Sequence, residues 1–122
     1  MTKIKSYRDL VVWQKSINLV TTIYENTASY PVSEQFGLTS QTRRSSVSIA
    51  ANIAEGYGRN STQDYLRFLN IACGSLYELQ TLLMIARNQE LIDNKNFSEL
   101  DARTREIERM LSSLIQKLNC NK

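Results

Sequence analysis

The 122-residue sequence has no histidine, one proline, four glycines and two cysteines. Without an imidazole there is no ordinary Ser-His or Cys-His nucleophile pair, and the Glu-x-x-His pattern of di-iron helical bundles cannot be built. Cys73 and Cys120 stand apart, without metal-ligand spacing. Neither a Walker motif nor a dinucleotide fingerprint is present. The carboxylates that remain, Glu55 and Glu78 among them, are poor candidates for acid-base work, so the chain reads as non-enzymatic, with no cofactor and no metal. No signal peptide opens it, and no apolar run approaches the roughly 20 residues of a membrane span. The expectation is a cytoplasmic protein with reduced thiols and no membrane association. Scarce Pro and Gly also argue against a turn-rich all-β fold and for long helices.

Hydrophobic residues make up 42% of the chain and charged residues 22%, ordinary values for a globular protein, and the length suits one domain over residues 1–122 with a core that needs no staples. The net charge of +3 is too small to imply a nucleic-acid binder alone. It is unevenly spread. Residues 1–30 carry four basic and two acidic groups, 31–60 three and two, 61–94 two and four, and 95–122 six and four. A basic surface would therefore draw on the first, second and last segments.

Apolar periodicity predicts four helices. Ser6 and Asp9 form a capping-box pattern, after which Leu10, Trp13, Ile17, Val20 and Tyr24 recur at helical spacing, so the first helix is expected from about Tyr7 to Ala28. Pro31 disfavours helix just before it. Ser33 starts a short turn through Phe36, which Gly37 interrupts. The second helix carries Val47, Ala50 and Ala54 on one face with Ile49 and Ile53 beside them, and is expected to end through left-handed Gly56 and Gly58. Ser61 and Asp64 signal the third, expected to last to about Asn88 with Gly74 inside it as a site of close helix approach. Asn96 and Glu99 mark the start of the fourth, with a stripe of Leu100, Ile107, Met110, Leu111, Leu114, Ile115 and Leu118. Glu99–Arg103 and Asp101–Arg105 are favourable i, i+4 pairs on its wet side. Four such helices, each about 30 Å long, are most simply joined as an all-α, antiparallel up-down-up-down four-helix bundle.

The most informative stretch is QTRRSSVSIAANIAEGYG, Gln41 to Gly58. A paired arginine opens a run of small residues that closes on Asn52-Ile53-Ala54-Glu55-Gly56. One reading is a closely packed helix with a solvated polar edge. A second is that Asn52 fixes packing register and that Glu55, near a helix C-terminus where the macrodipole disfavours an anion, meets a cation from another helix or subunit. Together with Val12-Trp13-Gln14, Phe36-Gly37-Leu38 and Ile71-Ala72-Cys73-Gly74-Ser75-Leu76-Tyr77-Glu78-Leu79, the stretch resembles the bacterial four-helix bundle family encoded within intervening sequences of 23S ribosomal RNA genes. Accessory variability determinant proteins of diversity-generating retroelements are similar. The resemblance spans about Tyr7 to Leu118 and implies a homopentamer, with RNA or DNA and a reverse transcriptase as partners.

Two functions follow as expectations. One is a nucleic-acid-associated accessory factor, with Arg43, Arg44, Arg59, Arg103, Arg105 and Arg109 as phosphate-binding candidates beside the basic amino-terminal segment. The other is a structural or protein-interaction module in which Arg43 and Arg44 pair across subunits with Glu55 or Glu78. Asn52, Glu55 and Gly74 are the oligomer-interface candidates. Among aromatics, Trp13, Tyr24, Tyr65 and Phe68 sit on predicted core stripes, whereas Tyr30 and Tyr57 lie in loops and are freer to touch a ligand.

Overall fold

The computed structural model describes residues 3–120, which form four α-helices and, among the described residues, no strand. Helices α1 (Val11–Thr27), α2 (Leu38–Tyr57), α3 (Thr62–Asn88) and α4 (Asn94–Cys120) pack in ring order, each against the next and α4 back against α1. The most extensive packing joins α2 to α3.

The first helix begins later than its capping pattern suggests. Ser6 and Asp9 do cap each other's turn: Ser6 Oγ accepts from Arg8 N at 3.1 Å, and the Asp9 carboxylate accepts from Ser6 N at 3.2 Å and from Lys5 N at 2.8 Å. They close only a 3₁₀ turn over Tyr7–Asp9, because Leu10 is extended (φ −73°, ψ 123°) and α1 starts after it. Its buried face is also not the expected one. Val12, Leu19 and Ile23 face the core with Ser16 and Thr27, while Ile17 is 38% and Tyr24 43% exposed. Two hydroxyls tolerate that burial because each donates to its own helix, Ser16 to Val12 O and Thr27 to Ile23 O, both at 2.8 Å.

Glu34, in a 3₁₀ turn over Val32–Glu34, caps α2 by accepting from Leu38 N at 3.2 Å, an anion where the helix dipole favours one. Ile49 and Ile53 form the buried edge of α2 with Ser45, Ser46 and Ala50, whereas Val47 is exposed. Gly56 and Gly58 do not end the helix in a left-handed conformation, since no glycine has a positive φ. Gly56 is instead buried within α2, where a Cβ would stand 2.9 Å from Phe68 Cβ and 3.0 Å from Tyr65 Cδ1. Close approach of α2 and α3 is what requires it. Gly74 shows the reverse: nothing lies within 4 Å of where its Cβ would be, so the expected approach by another helix does not occur in the chain itself.

Ser61 caps α3 by accepting from Asp64 N at 3.1 Å, and α3 ends at Asn88 as its pattern predicts. By length and composition α3 would suffice to cross a membrane, contrary to the expectation that no stretch approaches such a span. Its Leu69, Leu76, Leu79 and Leu83 are instead buried against the other helices. The cap of α4 is Asp93 and not Asn96: its Oδ1 accepts from Asn96 N at 2.7 Å. Leu100, Ile107 and Leu111 of α4 complete the core, each burial contributing about 1.5–3 kcal/mol.

Candidate nucleic-acid interface

Helices α1 and α4 meet along a groove that is polar at one end and largely apolar at the other. At one end Lys15, Asn18, Thr22, Arg103 and Glu106 line a cavity of about 450 Å³. Glu106 also borders the adjoining cavity, where Arg109, Ser113 and Lys117 stand beside apolar Leu10, Val11, Val12, Met110 and Leu114. The helices set this composition. Residues 103, 106, 109, 113 and 117 recur at three or four along α4 and so share a face beside its core stripe. Arg103 Nη1 donates to Thr22 Oγ1 at 2.8 Å, and Lys15 Nζ lies 3.4 Å from Glu106 Oε2 with both side chains nearly half exposed. Such an exposed pair holds little energy, so the lysine is available to an anion. Four cations and several hydroxyl or amide donors therefore surround one carboxylate.

The predicted arginines divide by environment. Arg103 and Arg109 line the groove; Arg105 lies outside its lining and pairs with Asp101 at 2.9 Å. Arg43 and Arg44 part company. Arg43 reaches back to the end of α1, its Nε donating to Thr27 Oγ1 at 2.8 Å and its guanidinium lying 4.5 Å from the centre of the Tyr24 ring. That stacking explains how Tyr24 stays exposed without being bare. Arg44 is exposed and enters no ion pair among the described residues. Arg59 sits 4.5 Å from the Phe68 ring centre, with Arg67 at 4.6 Å from the same ring.

The small-residue helix carries a polar thread. Asn52 Nδ2 donates to Ser48 O at 2.8 Å and to Ser48 Oγ at 3.0 Å, and Ser48 Oγ meets Ser75 Oγ of α3 at 2.8 Å. Asn52 is thus half-buried and helps tie α2 to α3. Glu55 is exposed, without an ion pair among the described residues. Tyr30 corrects the loop expectation: it is buried in the core cluster, its hydroxyl has no partner among the described residues, and burial raises its pKa above the usual phenol value. Tyr57 ends α2 half-buried, with its ring edge-on to Tyr65. Cys73 is half-buried, its thiol pKa raised first by burial and then by Glu108. Among the described residues no cluster of three or more Cys, Asp or Glu is arranged to hold a metal.

The family model of the 23S rRNA-intervening sequence protein matches residues 8–113. The chain belongs to this family. The match takes in all of α1, α2 and α3 and α4 as far as Ser113, so most of the features above lie within it, while Lys117 lies beyond its end. Among solved structures, this family member is similar to the crystal structure of a protein of unknown function from the S23 ribosomal protein family of Bacteroides thetaiotaomicron VPI-5482. The two share 29% identity with a TM-score of 0.78, over 86% of this chain and 98% of that one. No match is found among curated proteins.

Lys15 and Lys117 were not singled out by the sequence reading. Their signal lay in spacing: Lys117 follows Arg109 by eight residues on α4, and Lys15 precedes Asn18 and Thr22 on α1 by three and seven.

Proposed function

We propose that the protein is a non-enzymatic, cytoplasmic accessory factor that holds the phosphate backbone of nucleic acid, without sequence preference, in the α1–α4 groove. The observation that carries this reading is the groove itself, where Lys15, Arg103, Arg109 and Lys117 stand beside Asn18, Thr22 and Ser113, with Glu106 as the only acid of the lining among the described residues. Phosphate contact needs cations and donors on one connected surface and no base-reading element. We take the bundle as antiparallel, up-down-up-down. The pairings of Lys15 with Glu106 and of Thr22 with Arg103 run in opposite senses along α1 and α4 and support that order. The working form is a homo-oligomer, a pentamer by resemblance to the family's retroelement relatives, which would repeat the groove around one assembly and multiply a modest charge.

A titration of labelled mixed-sequence RNA at several salt concentrations tests the groove. Each phosphate contact contributes about 0.7 to the slope of log affinity against log salt for a single strand. Replacing Arg103, Arg109 and Lys117 together with Gln is expected to make the slope shallower by about 2. Unchanged binding by that variant would remove the groove from the account. Arg44 and Glu55, both exposed and without an ion pair among the described residues, favour a second reading, a protein-interaction module that binds no nucleic acid and has a protein such as a reverse transcriptase as partner, although Arg43 is engaged within its own chain. Absence of RNA binding by the parent at low salt would select it.

A further inference from the structure

Two apolar features lie near opposite ends of α2. Just before the helix, Phe36 is 90% and Val32 84% exposed. Toward its other end, Trp13, Ile17, Val47, Ala51 and Ala54 line a cleft of about 300 Å³ against α1. Phe36 cannot fill the cleft of its own chain, because Leu38 to the near edge of the cleft at Val47 is already about 14 Å of helix at the standard rise. A knob and a hole on one molecule that cannot meet intramolecularly are complementary between copies.

Helix α2 also carries two exposed charges of opposite sign. Arg44 and Glu55 are both exposed on α2, and eleven residues make three turns with a rotation of only about 20°, so the two share a face on which Ala51 lies between them. Neither enters an ion pair among the described residues. Glu55 stands in the last turn of α2, where the helix dipole calls for a cation.

We propose that this face docks on a second copy of the chain head to tail: Phe36 and Val32 of one copy enter the Trp13–Ala54 cleft of the next, and Arg44 of the first meets Glu55 of the second. One displacement serves both contacts. Bringing Phe36 to the cleft needs a shift of about 20–25 Å along α2, and bringing Arg44 to Glu55 needs about 16 Å. The long arginine and glutamate side chains span the difference. Ala51 and Ser48 on the contact face let the helices approach closely. A head-to-tail contact leaves one knob and one cleft open on any chain of copies until a ring closes. The proposal rests on the oligomeric part of the reading above and is independent of the groove, which lies between α1 and α4.

The test is the mass of the full chain by light scattering at micromolar concentration and physiological salt. The parent is expected at a multiple of 14.0 kDa. Phe36→Ser and Ala51→Arg, both at exposed positions, should each fall to the monomer mass with helical content unchanged. Mixed together, these two variants retain one intact knob and one intact cleft, so they should form a one-to-one dimer and nothing larger. Arg44→Glu should dissociate the assembly and Arg44→Glu/Glu55→Arg restore it. An assembled parent whose Phe36→Ser and Ala51→Arg variants keep the parental mass overturns this docking mode and leaves the oligomeric reading standing. A monomeric parent overturns both, while the RNA titration still decides the groove.

Discussion

Substituting alanine at Gly56 and at Gly74 should move stability in opposite directions. Both glycines lie inside helices, where alanine is favoured by about 1 kcal/mol. At Gly74 nothing lies within 4 Å of the new methyl, so the full gain of about 1 kcal/mol should appear. At Gly56 the methyl would stand 2.9 Å from Phe68 Cβ, 3.0 Å from Tyr65 Cδ1 and 3.3 Å from Tyr65 O. Ordinary carbon contacts are about 3.5–4.0 Å. A Cβ and a backbone oxygen cannot swing aside as a flexible side-chain end can, so α2 and α3 must separate by about 0.5 Å or more, at the upper end of the roughly 1–3 kcal/mol seen for overpacking. The net effect at Gly56 is a loss of about 1–2 kcal/mol. At a few degrees per kcal/mol, thermal unfolding should show Gly56→Ala lower by about 4–10 °C and Gly74→Ala higher by about 3–6 °C. The comparison is made at equal protomer concentration, because assembly shifts the melting temperature. Equal stabilisation by both substitutions would refute the close α2–α3 approach.

Glu90 turns from α3 toward α4 with φ 61°, while Leu91 N bonds Ala86 O and Glu90 N bonds Arg87 O, both at 2.9 Å, a helix end that usually carries glycine. Glu90→Gly should stabilise by about 0.5–1 kcal/mol in denaturant unfolding, and a loss of stability would count against the strain. Tyr30→Phe removes a buried hydroxyl with no partner among the described residues and should raise stability by about 1 kcal/mol in the same assay. A clear destabilisation would mean that the hydroxyl is bonded in solution.

Helix number and most of the core were legible from the sequence because long apolar periods and few glycines leave little choice. The third helix reads almost to the residue, since Ser61 and Asp64 supply a start and the leucines an unbroken stripe. The first was harder. It carries apolar residues on two faces, and periodicity alone does not say which faces inward; Trp13, Ile17 and Tyr24 form a regular stripe, yet Val12, Leu19 and Ile23 fill the core. Gly56 illustrates another ambiguity, for a glycine near a helix end fits both a left-handed stop and a close contact, and only the position of Phe68 decides. The candidate site was half visible. Arg103 and Arg109 stood out as charges on a wet face, but Lys15 joins them only when α1 lies against α4, and Arg43 looks identical to Arg44 until its bond to Thr27 is seen.

The salt dependence of RNA binding tests the central claim most directly, with the parent, the Arg103→Gln/Arg109→Gln/Lys117→Gln variant and Arg43→Gln measured side by side. Because the Arg43 guanidinium is engaged with Thr27 and Tyr24, its removal should leave the salt slope unchanged, whereas the triple variant should lose about 2 from it. A triple variant that binds with the parental slope, or an Arg43→Gln variant that alone flattens it, would contradict the assignment of the phosphate surface to the α1–α4 groove.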